Sequence, residues 1–277
     1  MATSIQSKNL HKTFAPTNDL RADNVAGSRA TEAHAPSANS TTPTTVNRPH
    51  FLSAQWWLVI ASLPVLAILA FAIFQPLLVL PRAGLAPGFR LVDQYGNDQS
   101  HENFRGHITL YNFTYTSCVT PCPQTATVMA DLRDQIPQIN TRDIPVALVT
   151  ISFDPTRDTL DQLQRYAQQF DVDTKPSDRE QRPPWYIMTG EETSLKYIVG
   201  GGFGVYYKGN EDQSFTFDPM YVLVDGAGII RAKYRTATPD LDTVQRDISL
   251  VAKEASESTG AAHLAYEAAH LFLCYPK

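Results

Sequence analysis

A run of 25 residues without a charged side chain, Trp56 to Leu80, divides this chain into a polar tail and a domain-sized remainder. At about 1.5 Å rise per residue, a helix of this length crosses a hydrocarbon core of about 30 Å. Paired tryptophans suit the membrane interface, and prolines are tolerated in such helices. We therefore predict a single transmembrane helix over residues 55–80. A buried core helix or a cleaved signal peptide fits such a long, late run less well.

The residues before this run favour a disordered N-terminal tail, 1–50. They are rich in Ser, Thr, Asn, Ala and Pro, and they cannot bury enough apolar surface to offset the entropy of the chain. Positive charges near the run do not decide its orientation, because Arg48 lies on one side and Arg82 and Arg90 on the other. The net charge of −5 gives no reason to expect nucleic-acid binding.

The remainder alternates predicted strands and helices, which is typical of an α/β domain with a mixed sheet. Predicted strands include 108–115, 145–153 and 185–188, and the Asp225–Gly228 turn joins two more in a hairpin. We expect Asp158 to cap one helix and Thr238 another, and three glycines to end a short helix near residue 199. This order matches a thioredoxin-like fold, preceded here by the transmembrane helix.

Two of the three cysteines, Cys118 and Cys122, follow the 108–115 strand in the stretch TYTSCVTPCPQ. Pro123 suits the first turn of a helix, which places Cys122 near a helix N-terminus that favours the thiolate. At a helical i, i+4 spacing the two side chains approach to about 5–6 Å. This geometry suits either reversible disulfide exchange or binding of a soft ion such as Cu(I). Two buried, inert thiols are the structural alternative.

Several stretches resemble the SCO/SenC family in the same order along the chain. The copper-site segment of that family is similar to YNFTYTSCVTPCPQT, and four further stretches fit: APGFRLVDQYGN, VTISFDPTRDTLDQLQRYAQQF, WYIMTGEETSLKYIVGGGFGVYY and YVLVDGAGIIRAKY. The resemblance covers about residues 86–258. Residues 259–277 then form a C-terminal helical extension.

The resemblance implies a function, a location and a partner. It implies a membrane-anchored protein, single-pass in the cell membrane, whose soluble domain lies on the extracytoplasmic side. It also implies support for assembly of the copper centre of cytochrome c oxidase, with subunit II or its assembly factors as partner. Cys118 and Cys122 would then be both the redox pair and the ligands for copper, Cu(I).

The chain departs from the family pattern at the expected third copper ligand. The family supplies a histidine there, whereas alignment of the last hairpin places Phe217, or Thr216 after a shift of one residue, at that position. Met220 offers a thioether nearby, although it is more simply a strand residue that packs inward. Pro219 has the spacing of the cis-proline in TlpA-type oxidoreductases. The missing imidazole favours the alternative of a general extracytoplasmic thiol-disulfide oxidoreductase without stable copper binding.

The C-terminal stretch contains a second set of possible ligands. His263, Glu267, His270 and Cys274 fall on one face of a predicted helix, within about 60° on a helical wheel. They could bind a metal, but ordinary residues of a docked terminal helix are the simpler interpretation.

Two other classes of function remain as rivals. A peroxiredoxin-like peroxidase needs Thr-x-x-Cys, and Tyr115 stands three residues before Cys118. The other rival is a non-catalytic binding module that kept the fold after losing its function. The intact Cys-x-x-x-Cys-Pro argues against it, because such a module would not need these cysteines.

Overall fold

The structure is a computed structural model that describes residues 54–74, 78–118, 122–172 and 182–272. The predicted tail, residues 1–50, lies outside the described residues. The first helix, α1, spans Ala54–Phe74. No helix in the described part of the chain combines the length and apolar character that a membrane crossing requires.

The domain after residue 78 is built on an eight-stranded mixed sheet, which confirms the predicted α/β class. Its strands are β1 (Gly84–Leu85), β2 (Arg90–Asp93), β3 (Asp98–Ser100), β4 (Ile108–Thr114), β5 (Val146–Ser152), β6 (Trp185–Thr189), β9 (Tyr221–Val224) and β10 (Ile229–Tyr234). They are arranged in the order β1-β10-β9-β4-β5-β6-β2-β3. The pairs β4–β5 and β5–β6 are parallel, and the other pairs are antiparallel. Two short strands, β7 (Tyr207–Gly209) and β8 (Phe215–Phe217), form a separate hairpin.

Helices cover this sheet and connect its parallel strands. They are α2 (Cys122–Gln135), α3 (Leu160–Gln169), α4 (Glu192–Leu195), α5 (Leu241–Glu257) and α6 (Ala261–Phe272). The start of α5 corrects one expectation, because its N-cap is Asp240, whose carboxylate accepts the Thr243 N–H, and not Thr238.

The sheet has a separate apolar core on each face. Leu110 and Leu148 pack on one side with residues of α2 and α5, whereas Tyr111, Phe113 and Val149 pack into a second, aromatic cluster on the other. Every residue of β4 and β5 is buried as a result. This explains the near-continuous apolar runs in these two central strands.

The three glycines near residue 200 do not end their helix, contrary to expectation. The chain continues from α4 through a π-helical segment, Lys196–Phe203, and turns only at Gly204, whose φ is 77°. A Cβ placed on Gly202 would overlap the Pro87 ring. The glycines therefore allow close approach of another segment, and the stop signal lies at the left-handed residue after them.

The N-terminal segment of the domain lies at the same end of the sheet as the beginning of β4, with two strands between them. The Ala83 N–H donates to the Ile230 carbonyl at 2.8 Å, and Arg231 donates to the Leu80 carbonyl at 2.8 Å. Ile230 pairs with Val224, which in turn pairs with Thr109 near the start of β4. Residues 80–85 therefore lie at the end of the sheet where β4 begins, and Cys118 follows the other end of β4.

Candidate functional site

Cys118 lies where β4 gives way to α2, at the junction that the sequence predicts. Its N–H donates to the Tyr115 carbonyl at 3.2 Å, and its half-buried side chain packs against the aromatic cluster. Cys118 is disulfide-bonded. The backbone of Cys122 begins α2, but residues 119–121 and the Cys122 side chain lie outside the described residues. A disulfide at a strand-to-helix junction is the arrangement expected of a redox pair.

A buried carboxylate holds the loop that carries Cys118, and we name Thr116, Ser152 and Asp158 the anchor. Asp158 accepts the Thr116 N–H at 2.9 Å and the Thr116 hydroxyl at 2.6 Å, and it also accepts the Ser152 hydroxyl. Its side chain is fully buried. Asp158 therefore fastens the ends of β4 and β5 together two residues before Cys118.

This role corrects the prediction that Asp158 caps a helix. The N-cap of α3 is Thr159, and the Asp158 carboxylate turns inward beneath the loop. Removal from water raises the pKa of Asp158 above its usual value, although its three hydrogen bonds oppose that shift and the nearby Asp154 charge adds to it.

Aromatic rings form a wall of the site beside Tyr115, apart from the anchor. Tyr115 contacts Phe153 and Phe215, with ring centroids 5.7 and 5.1 Å apart, and the Arg157 guanidinium lies 5.6 Å from the Tyr115 ring centroid. The Tyr115 hydroxyl accepts the Phe215 N–H at 3.3 Å. Tyr115, at the position where a peroxiredoxin needs threonine, is thus a structural residue of the wall.

The position of the expected histidine belongs to this wall as well. Phe217 is 8% exposed, and its ring centroid lies 5.2 Å from that of Phe153, whereas Thr216 is exposed on the other face of β8. Met220 is 2% exposed and packs in the aromatic cluster, as its inward orientation predicts. Among the described residues, no group of three or more His, Cys, Asp or Glu side chains is arranged to hold a metal ion.

The C-terminal residues with metal-binding potential are held in ion pairs. Glu267 pairs with Arg82 at 2.9 Å and with His263 at 3.7 Å, and His270 contacts Glu254 at 2.8 Å. Cys274 lies outside the described residues. In addition, Tyr266 and Ala269 bury Val79. These contacts favour the interpretation of α6 as a docked terminal helix.

Glu254 is the centre of this ionic group. Burial alone would raise the pKa of Glu254, but the hydrogen bonds and charges of Arg231 and His270 outweigh it and hold that pKa below its usual value. Glu254 therefore remains ionised and ties β10 to α5 and α6.

The chain matches one known family over most of the domain. A model of the SCO1/SenC family matches residues 80–253. An SCO2-like protein of Rickettsia prowazekii is 30% identical over 134 residues, which are 47% of this chain and 58% of that protein. A protein of Stutzerimonas stutzeri, named as a candidate copper-binding protein, is 36% identical over 172 residues, 61% of this chain and 78% of that protein. The chain thus spans 58–61% of the length of the Rickettsia relatives it matches.

Solved structures match the same fold. Copper-bound ScoI of Arabidopsis thaliana aligns with a TM-score of 0.52 and 23% identity, covering 61% of this chain and 99% of that one. BsSco, described with a disulfide switch and as a member of the Sco family of cytochrome c oxidase assembly proteins, aligns with a TM-score of 0.53 and 21% identity, covering 64% and 98%. At these identities the likeness shows the fold.

Proposed function

Because this chain belongs to the SCO1/SenC family, we propose that it supports assembly of the copper centre of cytochrome c oxidase through Cys118 and Cys122. The observation that carries the proposal is the disulfide of Cys118 at the β4–α2 junction. Cys122 is the proposed partner in that bond, since the two positions are one helical turn apart in sequence. Oxidase subunit II or one of its assembly factors is the proposed protein partner.

The chemistry proposed for the pair is thiol–disulfide exchange. A thiolate of the reduced pair attacks a disulfide sulfur of the partner, which forms a mixed disulfide and releases one partner thiolate. The second cysteine then attacks the mixed disulfide. The partner leaves with two thiols and the pair becomes a disulfide, so two electrons and two protons pass to the partner. The helix N-terminus at Cys122 favours its thiolate.

Copper is proposed as cargo that two sulfurs hold without the family histidine. The ring at position 217 is a phenyl group in an apolar wall and offers no lone pair to a metal. We expect the wild-type chain to exchange disulfides readily but to bind Cu(I) weakly. Tight, stoichiometric Cu(I) in the wild type would overturn this expectation.

Restoring an imidazole tests this account of copper binding. We expect Phe217→His to raise the Cu(I) affinity of the reduced chain at least about tenfold, because a third soft-to-borderline ligand then faces the cysteine loop. Thr216→His is the matched control, since that side chain points to the other face of β8 and should leave the affinity unchanged. Competition with a chromophoric Cu(I) chelator measures both. A gain in Thr216→His alone would mean that the alignment is shifted by one residue.

A general extracytoplasmic thiol-disulfide oxidoreductase is the second candidate. The phenyl ring at position 217 favours it. It holds if the reduced wild type reduces a model disulfide but neither retains Cu(I) nor restores oxidase activity in cells that lack this protein.

Membrane anchoring near α1 is part of the proposal, with the domain on the extracytoplasmic side of the cell membrane. The large apolar side chains from Trp56 to Leu69 are exposed, which supports a lipid environment for them. We expect the full chain to stay in the membrane fraction after alkaline carbonate washing, and a chain without residues 54–77 to be released. Protection of the domain from external protease in intact spheroplasts would contradict the proposed side.

A further inference from the structure

A cavity of about 830 Å³ opens beside the aromatic cluster against which Cys118 packs. Its walls are aromatic on one side and come from the π-helical segment on the other, and the lining residues used below are Phe153, Gly200, Tyr207 and Phe215. Phe153 directly follows β5, so the cavity lies at the carboxyl end of a parallel strand. Open α/β sheets bind their ligands at such ends.

The cavity and Cys118 lie on either side of the same group of aromatic rings. Phe153 and Phe215 both line it and both contact Tyr115, with ring centroids 5.7 and 5.1 Å apart. Tyr115 accepts the Cys118 N–H, and Cys118 packs against the same aromatic cluster. One layer of rings therefore separates the cavity from Cys118. An extended peptide, which rises about 3.3 Å per residue, spans such a layer in roughly three or four residues.

The aromatic rings of the cavity wall favour an aromatic side chain as the occupant. The Tyr207 hydroxyl is buried and has no hydrogen-bond partner in the described part of the chain, although its ring stacks on Phe153 at 4.6 Å. The rings of Phe153, Tyr207 and Phe215 all line the cavity and offer stacked or edge-to-face contacts to a further ring. Glu192 and Lys196, which also line the cavity, pair with each other at 2.7 Å. Their charges offset each other, Asp154 at the wall pairs with Arg157, and exposed Lys208 adds one cation.

We propose that this cavity receives an aromatic side chain of the extended, cysteine-bearing segment of the redox partner. The cavity thereby selects which partner sulfur Cys118 meets. The inference rests on the proposed thiol–disulfide exchange, and it assigns substrate selection to residues that take no part in the exchange itself.

The test uses the full chain with Cys122→Ser and Cys274→Ser, which leaves Cys118 as its one thiol. The probes are three short peptides whose cysteine carries a 2-thiopyridyl group: one with phenylalanine four residues before the cysteine, one with phenylalanine four residues after it, and one with alanine at both positions. Attack by Cys118 forms a mixed disulfide and releases 2-thiopyridone, whose absorbance gives the rate. We expect one phenylalanine peptide to react about tenfold faster than the alanine peptide, because burial of its ring in the cavity holds the peptide cysteine near Cys118.

Two glycine substitutions in the π-helical segment give a matched pair. A Cβ on Gly200 would meet only the Val205 carbonyl, at 4.0 Å, and a Cβ on Gly201 would meet nothing within 4 Å. Gly200 lines the cavity, whereas Gly201 does not. We expect Gly200→Leu to abolish the preference for phenylalanine and Gly201→Leu to preserve it. Equal rates for all three peptides, or equal effects of both substitutions, would overturn the inference.

A small disulfide separates this inference from the proposed function. Reaction with 2,2′-dithiodipyridine should proceed at the same rate in both glycine variants, since it needs only an accessible Cys118. The proposed exchange is contradicted if Cys118 is inert toward this reagent and Cys122 is also inert in the matching Cys118→Ser, Cys274→Ser chain. In that case, calorimetric binding of the phenylalanine peptides with serine in place of cysteine decides the cavity alone. Binding that Gly200→Leu removes supports the inference, and no binding overturns it.

Discussion

The Cys118→Ser chain will neither reduce a disulfide through two complete exchange steps nor hold Cu(I) above the level of a denatured control. A single cysteine stops at the mixed disulfide, because no second thiol is present to resolve it. A single thiolate also gives a soft ion one sulfur ligand where the pair gives two. Stoichiometric reduction of an insulin disulfide and competition for Cu(I) with a chromophoric chelator, each against the wild type, measure the two losses.

Cys274→Ser is the matched control, since it removes the third cysteine outside the proposed pair. We expect this variant to keep the disulfide and both activities. Alkylation followed by mass spectrometry identifies which thiols become free in each variant. If Cys274→Ser frees Cys118 and Cys122→Ser does not, the proposed pairing is wrong.

Asp158→Ala should be the most damaging substitution beneath the loop. It leaves the Thr116 N–H, the Thr116 hydroxyl and the Ser152 hydroxyl without their acceptor in a fully buried place. We expect the free energy of unfolding to fall by about 2–4 kcal/mol, since each unsatisfied buried group costs about 1–3 kcal/mol and removal of the buried charge offsets part of the loss. Thermal unfolding in mild detergent measures it. A change below about 0.5 kcal/mol would show that the anchor does not stabilise the fold.

Asp158→Asn isolates the charge of the anchor from its shape. Burial raises the native pKa of Asp158, so the native state keeps a proton at pH values where the unfolded chain has lost it. The stability of the wild type therefore falls as pH rises from the usual carboxyl range through the raised pKa. Among neighbouring groups, Asp154 adds to the shift and pairs with Arg157, while Tyr166 stays neutral because its own pKa is raised by burial.

The test is whether the difference in unfolding free energy between wild type and Asp158→Asn falls or rises with pH. The stability difference between wild type and Asp158→Asn should be largest at and below the usual carboxyl pKa of about 4 and shrink as the pH rises above it, since asparagine does not titrate. A difference that grows with pH would mean that hydrogen bonding outweighs burial at this carboxylate.

Local patterns predicted the strands of this domain better than they predicted its caps. The strand at Ile108–Thr114 and the hairpin around Asp225 follow from apolar runs and turn residues, which report on short-range structure. The caps of α3 and α5 differ from prediction because several polar residues precede each helix, and tertiary contacts decide which one caps it. Gly202 was misleading for the same reason, since its role depends on Pro87, more than 100 residues away.

The features of the site also fall into those that local sequence shows and those that only the fold brings together. The cysteine spacing and the phenylalanine at position 217 are visible in the sequence. The anchor is not, because Thr116 and Asp158 are 42 residues apart and meet only when β4 and β5 pair. Small polar residues at the ends of two otherwise apolar strands, Thr114–Thr116 and Ser152, are the signal that could have indicated a buried partner.

Residues 80–85 lie at the end of the sheet where β4 begins, and this position bears on the distance between Cys118 and the proposed bilayer. Five residues of strand, at about 3.3 Å each, place the end of β4 roughly 15–20 Å beyond its beginning. Under the proposed anchoring, the chain enters the domain near Leu80, and the end of β4 that leads to Cys118 lies farther from the bilayer than the start of that strand. A partner then has to present its own cysteines at that height above the lipid headgroups.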